Sequence, residues 1–207
     1  MGAIEKNLHI GPELAGTYME PEEFDRAENW DEGYRYELIN GVLIVAPPPG
    51  EGARGPNDLL GYLLRAYQEQ HPQGSALNYT LSEHTVAIGE HRRRVDRVIW
   101  AGLAQIPNLR RDPPTITIEF VSSRRRDRHR DYNVKQQEYG ELGVAEYWII
   151  DRFRRTMTVV RYSHGTSTTI LVAENDMYTT ALLPGFELAV QRLFAEADRL
   201  EEAQRDA

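Results

Sequence analysis

Three side chains in this sequence are able to do chemistry together: Asp96, Glu119 and Lys135. Glu119 lies in Thr115-Ile116-Thr117-Ile118-Glu119-Phe120-Val121, an apolar run that marks a central strand buried on both faces. A carboxylate in such a strand is costly unless it is paired or holds a metal ion. A metal site and an ion pair with one of the many arginines both answer that need. Asp96 lies in a second apolar strand, Val95-Asp96-Arg97-Val98-Ile99-Trp100. If the two strands pair antiparallel with Asp96 opposite Glu119, the numbers of facing residues sum to 215, and Trp100 faces Thr115 while Val95 faces Phe120. The segments then overlap almost completely, and directly opposed side chains share a face with Cβ atoms roughly 4.5–5.5 Å apart. Two carboxylates that close repel unless a proton or a cation lies between them. A hard divalent ion, Mg²⁺ (or Mn²⁺), suits the pair, because it takes a few carboxylate oxygens and keeps waters for a phosphate substrate.

Lys135 is the third member. Among 24 basic residues only Lys6 and Lys135 are lysine, so a compact ammonium stands in mid-helix where the chain otherwise uses arginine. Lysine shifts its pKa and moves protons, whereas arginine stays charged. The alternative is a lysine whose stem merely covers apolar surface. Helical spacing places Lys135 on one face with Tyr132, Tyr139 and Leu142, which packs on the sheet, and leaves Glu138 and Glu141 outward.

The elements that must position these residues are legible in outline. Residues 1–18 read as a flexible N-terminal arm and 21–28 as a short acidic helix. Asn40-Gly41 between Tyr36–Ile39 and Val42–Val45 signals a hairpin with a type I′ turn. Pro56 opens a helix with a stripe of Leu59, Leu60, Leu63, Leu64 and Tyr67, and Pro72 ends it. Strands follow near 76–81, 84–88, 95–100 and 115–121. A helix over 128–142 stops at Gly143. Glu146–Asp151 and Thr156–Tyr162 form a second hairpin, with Asp151 closing its strand at the turn. Strands near 167–173 and 178–182 and a helix over 190–204 complete the chain. The pattern is that of an α/β (α+β) protein: a mixed β-sheet flanked by helices. One domain is expected over 19–195, with 196–207 as a C-terminal helical tail.

Composition narrows the function. With no cysteine, thiol nucleophiles, disulfides and Cys-based zinc sites are excluded. No apolar run approaches about 18 residues, so no membrane span is expected. The opening MGAIEKNLHI lacks the marks of a signal peptide, and a cytoplasmic location is expected. A net charge of −8 argues against general nucleic-acid binding. Yet residues 91–135 hold twelve bases against five acids, and a local positive field of that kind attracts an anionic ligand. Arg92, Arg93, Arg94 and Arg97 and the run Arg124, Arg125 and Arg126 are the candidate DNA contacts; each run read alone is equally a solvated loop edge.

Several segments resemble one family. They are Arg35-Tyr36-Glu37-Leu38-Ile39-Asn40-Gly41, Asp96 in its strand, Ile118-Glu119-Phe120-Val121-Ser122, Lys135 with Tyr139, Gly143-Val144-Ala145-Glu146-Tyr147-Trp148-Ile149-Ile150-Asp151, and Leu183-Pro184-Gly185-Phe186-Glu187-Leu188. Together, over roughly residues 19–195, they resemble the Uma-two family of restriction-endonuclease-like proteins. The resemblance implies a PD-(D/E)xK nuclease core with Asp96 and Glu119 as metal ligands, and Glu37 matches a family acid, a further candidate catalytic residue. The superfamily's lysine usually stands two residues after the second acid, where this chain has Val121; Lys135, from the following helix, supplies that charge. The expected activity is Mg²⁺-dependent hydrolysis of DNA phosphodiesters, with Asp96, Glu119 and the Phe120 backbone carbonyl around the metal. The alternative is a non-catalytic nucleic-acid-binding or assembly protein on the same fold. DNA and, in a homo-oligomer such as a dimer, a second copy of the chain are the expected partners.

Overall fold

A computed structural model describes residues 8–122 and 130–205. The chain divides into two compact units, one formed by Met1–Pro48 with Thr85–Arg94 and the other by Pro49–His84 with Val95–Ala207.

In the first unit, β1 (His9–Ile10) pairs in parallel with β2 (Asn29–Trp30), and α1 spans Pro21–Arg26. Strands β3 (Arg35–Ile39) and β4 (Val42–Ala46) form the expected hairpin. Asn40 and Gly41 have φ of 51° and 73°, the positive values that a type I′ turn demands and that Asn and Gly adopt most readily. Ile10, Phe24, Tyr36, Leu38 and Leu43 form a small core. The arm expected over residues 1–18 is thus, from Leu8 onward, a packed segment: Ile10 is fully buried, because its apolar side chain completes that core.

Strands β5 (Leu77–Ile88) and β6 (His91–Ala101) are paired, and the boundary between the units falls within each. The two strands expected at 76–81 and 84–88 are one strand; Glu83, at φ 50°, takes up the irregularity that made the sequence look broken.

The second unit carries a mixed sheet in the order β6, β7 (Ile116–Phe120), β8 (Glu146–Asp151), β9 (Thr156–Ser163), β10 (Thr166–Ala173), with β7 and β8 parallel and the other neighbours antiparallel. Side chains alternate between its faces. Ile116, Ile118 and Phe120 of β7 and Trp148 and Ile150 of β8 enter a core with Leu60 and Leu64 of α2 (Glu51–Gln70) and Phe194 of the C-terminal helix (Val190–Arg205). Thr117, Glu119, Tyr147 and Ile149 therefore face the other way. There a π turn, Arg130–Val134, runs into α3 (Lys135–Leu142). Gly143 ends α3 at φ 85°, the left-handed cap that glycine takes without strain. The C-terminal helix is α4; the described part of the tail expected at 196–207, as far as Arg205, is its second half, anchored by the buried Ala197. Short strands β11 (Met177–Thr179) and β12 (Glu187–Ala189) pair beside it in sequence.

Helix α2 starts five residues before Pro56, which lies within it. A proline removes one helical hydrogen bond but fixes φ at a helical value, and the burial of Gly52, Pro56 and Asn57 secures the extra turn. Among the described residues, no helix is long and apolar enough to cross a membrane.

Candidate active site

Strands β6 and β7 pair in the register expected from the sequence: Arg97 faces Ile118, Val98 faces Thr117 and Ile99 faces Ile116, so facing residues sum to 215. The paired ladder ends there, and the same register continued by one residue sets Asp96 opposite Glu119, on the sheet face turned toward α3. Both are buried, at 5% and 3% exposure. Asp96 Oδ2 accepts the backbone N–H of Phe120 at 2.7 Å, which ties this carboxylate to β7 beside Glu119. Behind Asp96, the backbone carbonyl accepts a 2.8 Å hydrogen bond from Asn57 Nδ2 of α2.

Glu119 is held from α3. Its Oε1 accepts the Tyr139 hydroxyl at 2.6 Å and stands 2.8 Å from Lys135 Nζ. The same ammonium is 3.2 Å from Asp131 Oδ1, one helical turn earlier. The Tyr147 hydroxyl donates to the Asp131 carbonyl at 3.0 Å, and the Tyr139 and Tyr147 rings meet edge to face at 4.9 Å. Tyr132 of the π turn donates to Asp151 Oδ2 at 3.1 Å, while Asp151 Oδ1 accepts the N–H groups of Phe153 and Arg154, so Asp151 does close its strand at a turn. Two tyrosines thus fasten the π turn to the sheet, and the turn sets where Asp131 and Lys135 stand.

Electrostatics follow from burial. Desolvation pushes the Asp131 carboxyl above its ordinary value; Glu119 adds to the shift, and Lys135 and Arg130 oppose it. Burial drives the Tyr147 hydroxyl well above its usual range, reinforced by Asp131 and Glu119, so it stays a neutral donor. A dry site magnifies each of these charges.

Sequence reasoning brought Asp96, Glu119 and Lys135 together, and the structure groups these three. It missed Asp131, although Asp131 and Lys135 stand at the i, i+4 spacing of a helical ion pair. It missed Asn57, for which the sequence carries no signal. Among the described residues, Lys135 is a cationic partner of Glu119. Glu138, expected to face outward, is 8% exposed, because it stands three residues after Lys135 and four before Leu142 within α3, a spacing that puts it on their face.

The arginines need correction. Arg92 makes a bidentate pair with Asp25 at 2.7 and 2.6 Å. Arg93 is buried 3.6 Å from Glu37 Oε2. Arg97 is buried under α2, donating to Asn57 Oδ1, the Asn57 carbonyl and Thr80 Oγ1, with its pKa pushed down to about 10 by burial. Gly61 of α2 leaves room for it, since a Cβ there would lie 2.5 Å from the guanidinium. As placed, these three guanidiniums are occupied inside the protein and are not surface phosphate contacts. Arg94 is half-buried and donates to Thr85 Oγ1. Arg124, Arg125 and Arg126 lie outside the described residues. Glu37 belongs to the first unit, where the Arg94 N–H donates to its Oε1 at 3.0 Å.

Among the described residues, no three of His, Cys, Asp and Glu converge as a metal cage. The donor set at Asp96 and Glu119 still fits a hard ion of the Mg²⁺ type, which is bound through one or two carboxylates and fills its shell with water and phosphate oxygen.

The family Uma2, described as "Putative restriction endonuclease", matches residues 21–191. A solved structure titled as that of "a putative nuclease belonging to DUF820 from Anabaena variabilis ATCC 29413" is similar in fold, with a TM-score of 0.65 over 86% of this chain and 99% of that one at 16% identity. No curated protein matches.

Proposed function

We propose that this chain, which belongs to the Uma2 family of restriction-endonuclease-like proteins, is a metal-dependent endonuclease that hydrolyses DNA phosphodiester bonds. One observation carries the reading: two buried carboxylates, Asp96 and Glu119, lie next to the last paired rung of β6 and β7, where the same register continued by one residue sets them opposite each other, with the Lys135 ammonium 2.8 Å from the second. Asp96, Glu119 and the Phe120 carbonyl would hold Mg²⁺ or Mn²⁺. When bound, such an ion polarises the scissile phosphate, activates water and stabilises the leaving oxygen. The chain's own groups do the rest. The Phe120 N–H fixes the Asp96 carboxylate, and the Tyr139 hydroxyl fixes Glu119. Lys135 supplies a directed donor that orients water or offsets negative charge gathering on the phosphate. Arg124, Arg125 and Arg126 contact backbone phosphates, which position the duplex without reading its sequence.

A second reading, a nucleic-acid-binding or assembly protein with a structural acid, has its own support: Glu119 already has an ammonium and a hydroxyl as partners. Digestion of plasmid, single-stranded and branched DNA with and without Mg²⁺ or Mn²⁺ separates the two. The nuclease reading expects cleavage that needs the ion and vanishes in Glu119→Ala. DNA binding without cleavage on any substrate leaves the second reading standing.

A further inference from the structure

We infer that Asp131 sustains divalent-ion affinity at the Asp96–Glu119 pair without touching the ion, by serving as the counter-ion that Lys135 keeps when Glu119 turns its charge to the ion. The inference rests on the reading of Asp96 and Glu119 as metal ligands.

The Lys135 ammonium stands beside two carboxylates among the described residues. Lys135 Nζ stands 2.8 Å from Glu119 Oε1 and 3.2 Å from Asp131 Oδ1. All three side chains are nearly sealed from water, at 3%, 4% and 5% exposure for Lys135, Glu119 and Asp131. A divalent ion arriving at Glu119 competes with the ammonium for the same oxygen and repels it as a like charge. Water cannot take over as the ammonium's partner there, and an uncompensated buried charge is strongly unfavourable. Asp131 removes that obstacle. Lys135 retains a carboxylate one helical turn away, and Glu119 is released to the ion.

Asp131 is fastened independently of the lysine. Its carbonyl accepts the Tyr147 hydroxyl, and its neighbour Tyr132 is tied to Asp151. The other cation beside it, Arg130, is more distant at 3.8 Å and its side chain is 36% exposed, so it is a weaker partner than Lys135. The π turn that positions Asp131 sits where such turns often mark functional sites.

The test is a calorimetric Mn²⁺ titration, without DNA, of four proteins: wild type, Asp131→Asn, Lys135→Met and the double variant. Asp131→Asn is expected to weaken Mn²⁺ binding by about tenfold or more, a change of one decade in Kd. In the Lys135→Met background the same substitution is expected to change Kd by less than about twofold, since no ammonium is then left for Asp131 to hold off Glu119. Equal losses in both backgrounds would mean that Asp131 acts on the ion directly and would overturn the inference, as would no loss in either. A wild-type protein that binds no Mn²⁺ removes the metal reading as well, whereas binding with an additive cycle removes the inference alone. Asp131→Ser completes the same cycle if the asparagine variant fails to fold.

Discussion

Lys135 is the side chain whose chemistry and charge can be told apart. Lys135→Arg keeps the positive charge near Glu119 and Asp131, but the guanidinium is wider and its donors lie in a rigid plane. A misplacement of about 1 Å costs on the order of a hundredfold in rate. The variant is therefore expected to fold, to bind Mn²⁺ and DNA within a few-fold of wild type, and to cut roughly a hundredfold more slowly in single-turnover assays; near-wild-type cleavage would remove Lys135 from the mechanism. Asp131 gives a pH signature. Its carboxyl is raised by burial, so folding disfavours the ionised form. The ionised group lowers stability above its folded pKa, and that cost lifts as pH falls through it. In chelator, Asp131→Asn should melt higher than wild type at neutral pH, and the difference should shrink as the solution is acidified. A lower melting temperature at neutral pH would show that Lys135 outweighs burial. The rarity of lysine pointed to Lys135, and the alternation of two apolar strands pointed to the rung that Asp96 and Glu119 share. Asp131 was hidden because an isolated acid near five arginines looks like surface.

Among the buried acids of the β7–π turn–α3–β8 segment, Glu119 and Glu146 are of opposite character. Glu119 meets the Lys135 ammonium and the Tyr139 hydroxyl at the site. Glu146 is a structural acid with every oxygen occupied: Trp148 Nε1 and the Tyr178 hydroxyl donate to Oε2 at 2.9 and 2.8 Å, and the Thr180 hydroxyl and Arg161 Nε donate to Oε1, both at 2.9 Å. Glu146→Ala strips buried donors of their acceptor and should cost about 2–4 kcal/mol in chemical denaturation, since hydrogen bonds to a charged group contribute about 1.5–3 kcal/mol each and orphaned donors add a desolvation penalty. Divalent-ion affinity should hold, because nothing in this cluster touches Asp96 or Glu119; loss of ion binding in a folded variant would show that the two acids are coupled through β8. Periodicity found these strands and α3 but not the π turn. A five-residue turn carries no hydrophobic period of its own.

Charge across the chain was the feature the sequence exposed least faithfully. A basic stretch over 91–97 suggested a phosphate-binding edge, yet Arg92, Arg93 and Arg97 are spent on Asp25, Glu37, Asn57 and Thr80. Those partners stand tens of residues away in sequence, so no local pattern announces them. With that stretch turned inward, Arg124, Arg125 and Arg126 carry the proposed DNA contact in a protein of net charge −8. Replacing all three by glutamine should weaken DNA binding and flatten its dependence on salt, because each phosphate contact releases counterions, while Mn²⁺ affinity stays put; unchanged DNA affinity would place the groove elsewhere. The central claim, that Asp96 and Glu119 form one metal-dependent cutting centre, is met most directly by single-turnover cleavage of end-labelled duplex DNA across a Mg²⁺ titration, wild type beside Asp96→Asn. Wild-type cleavage is expected to rise with Mg²⁺ to a plateau and to stop in chelator. Asp96→Asn, which keeps the shape of the side chain, is expected to bind the duplex normally and cut at least about a hundredfold more slowly. Cleavage that ignores chelator, or an Asp96→Asn protein that cuts at the wild-type rate, would contradict it.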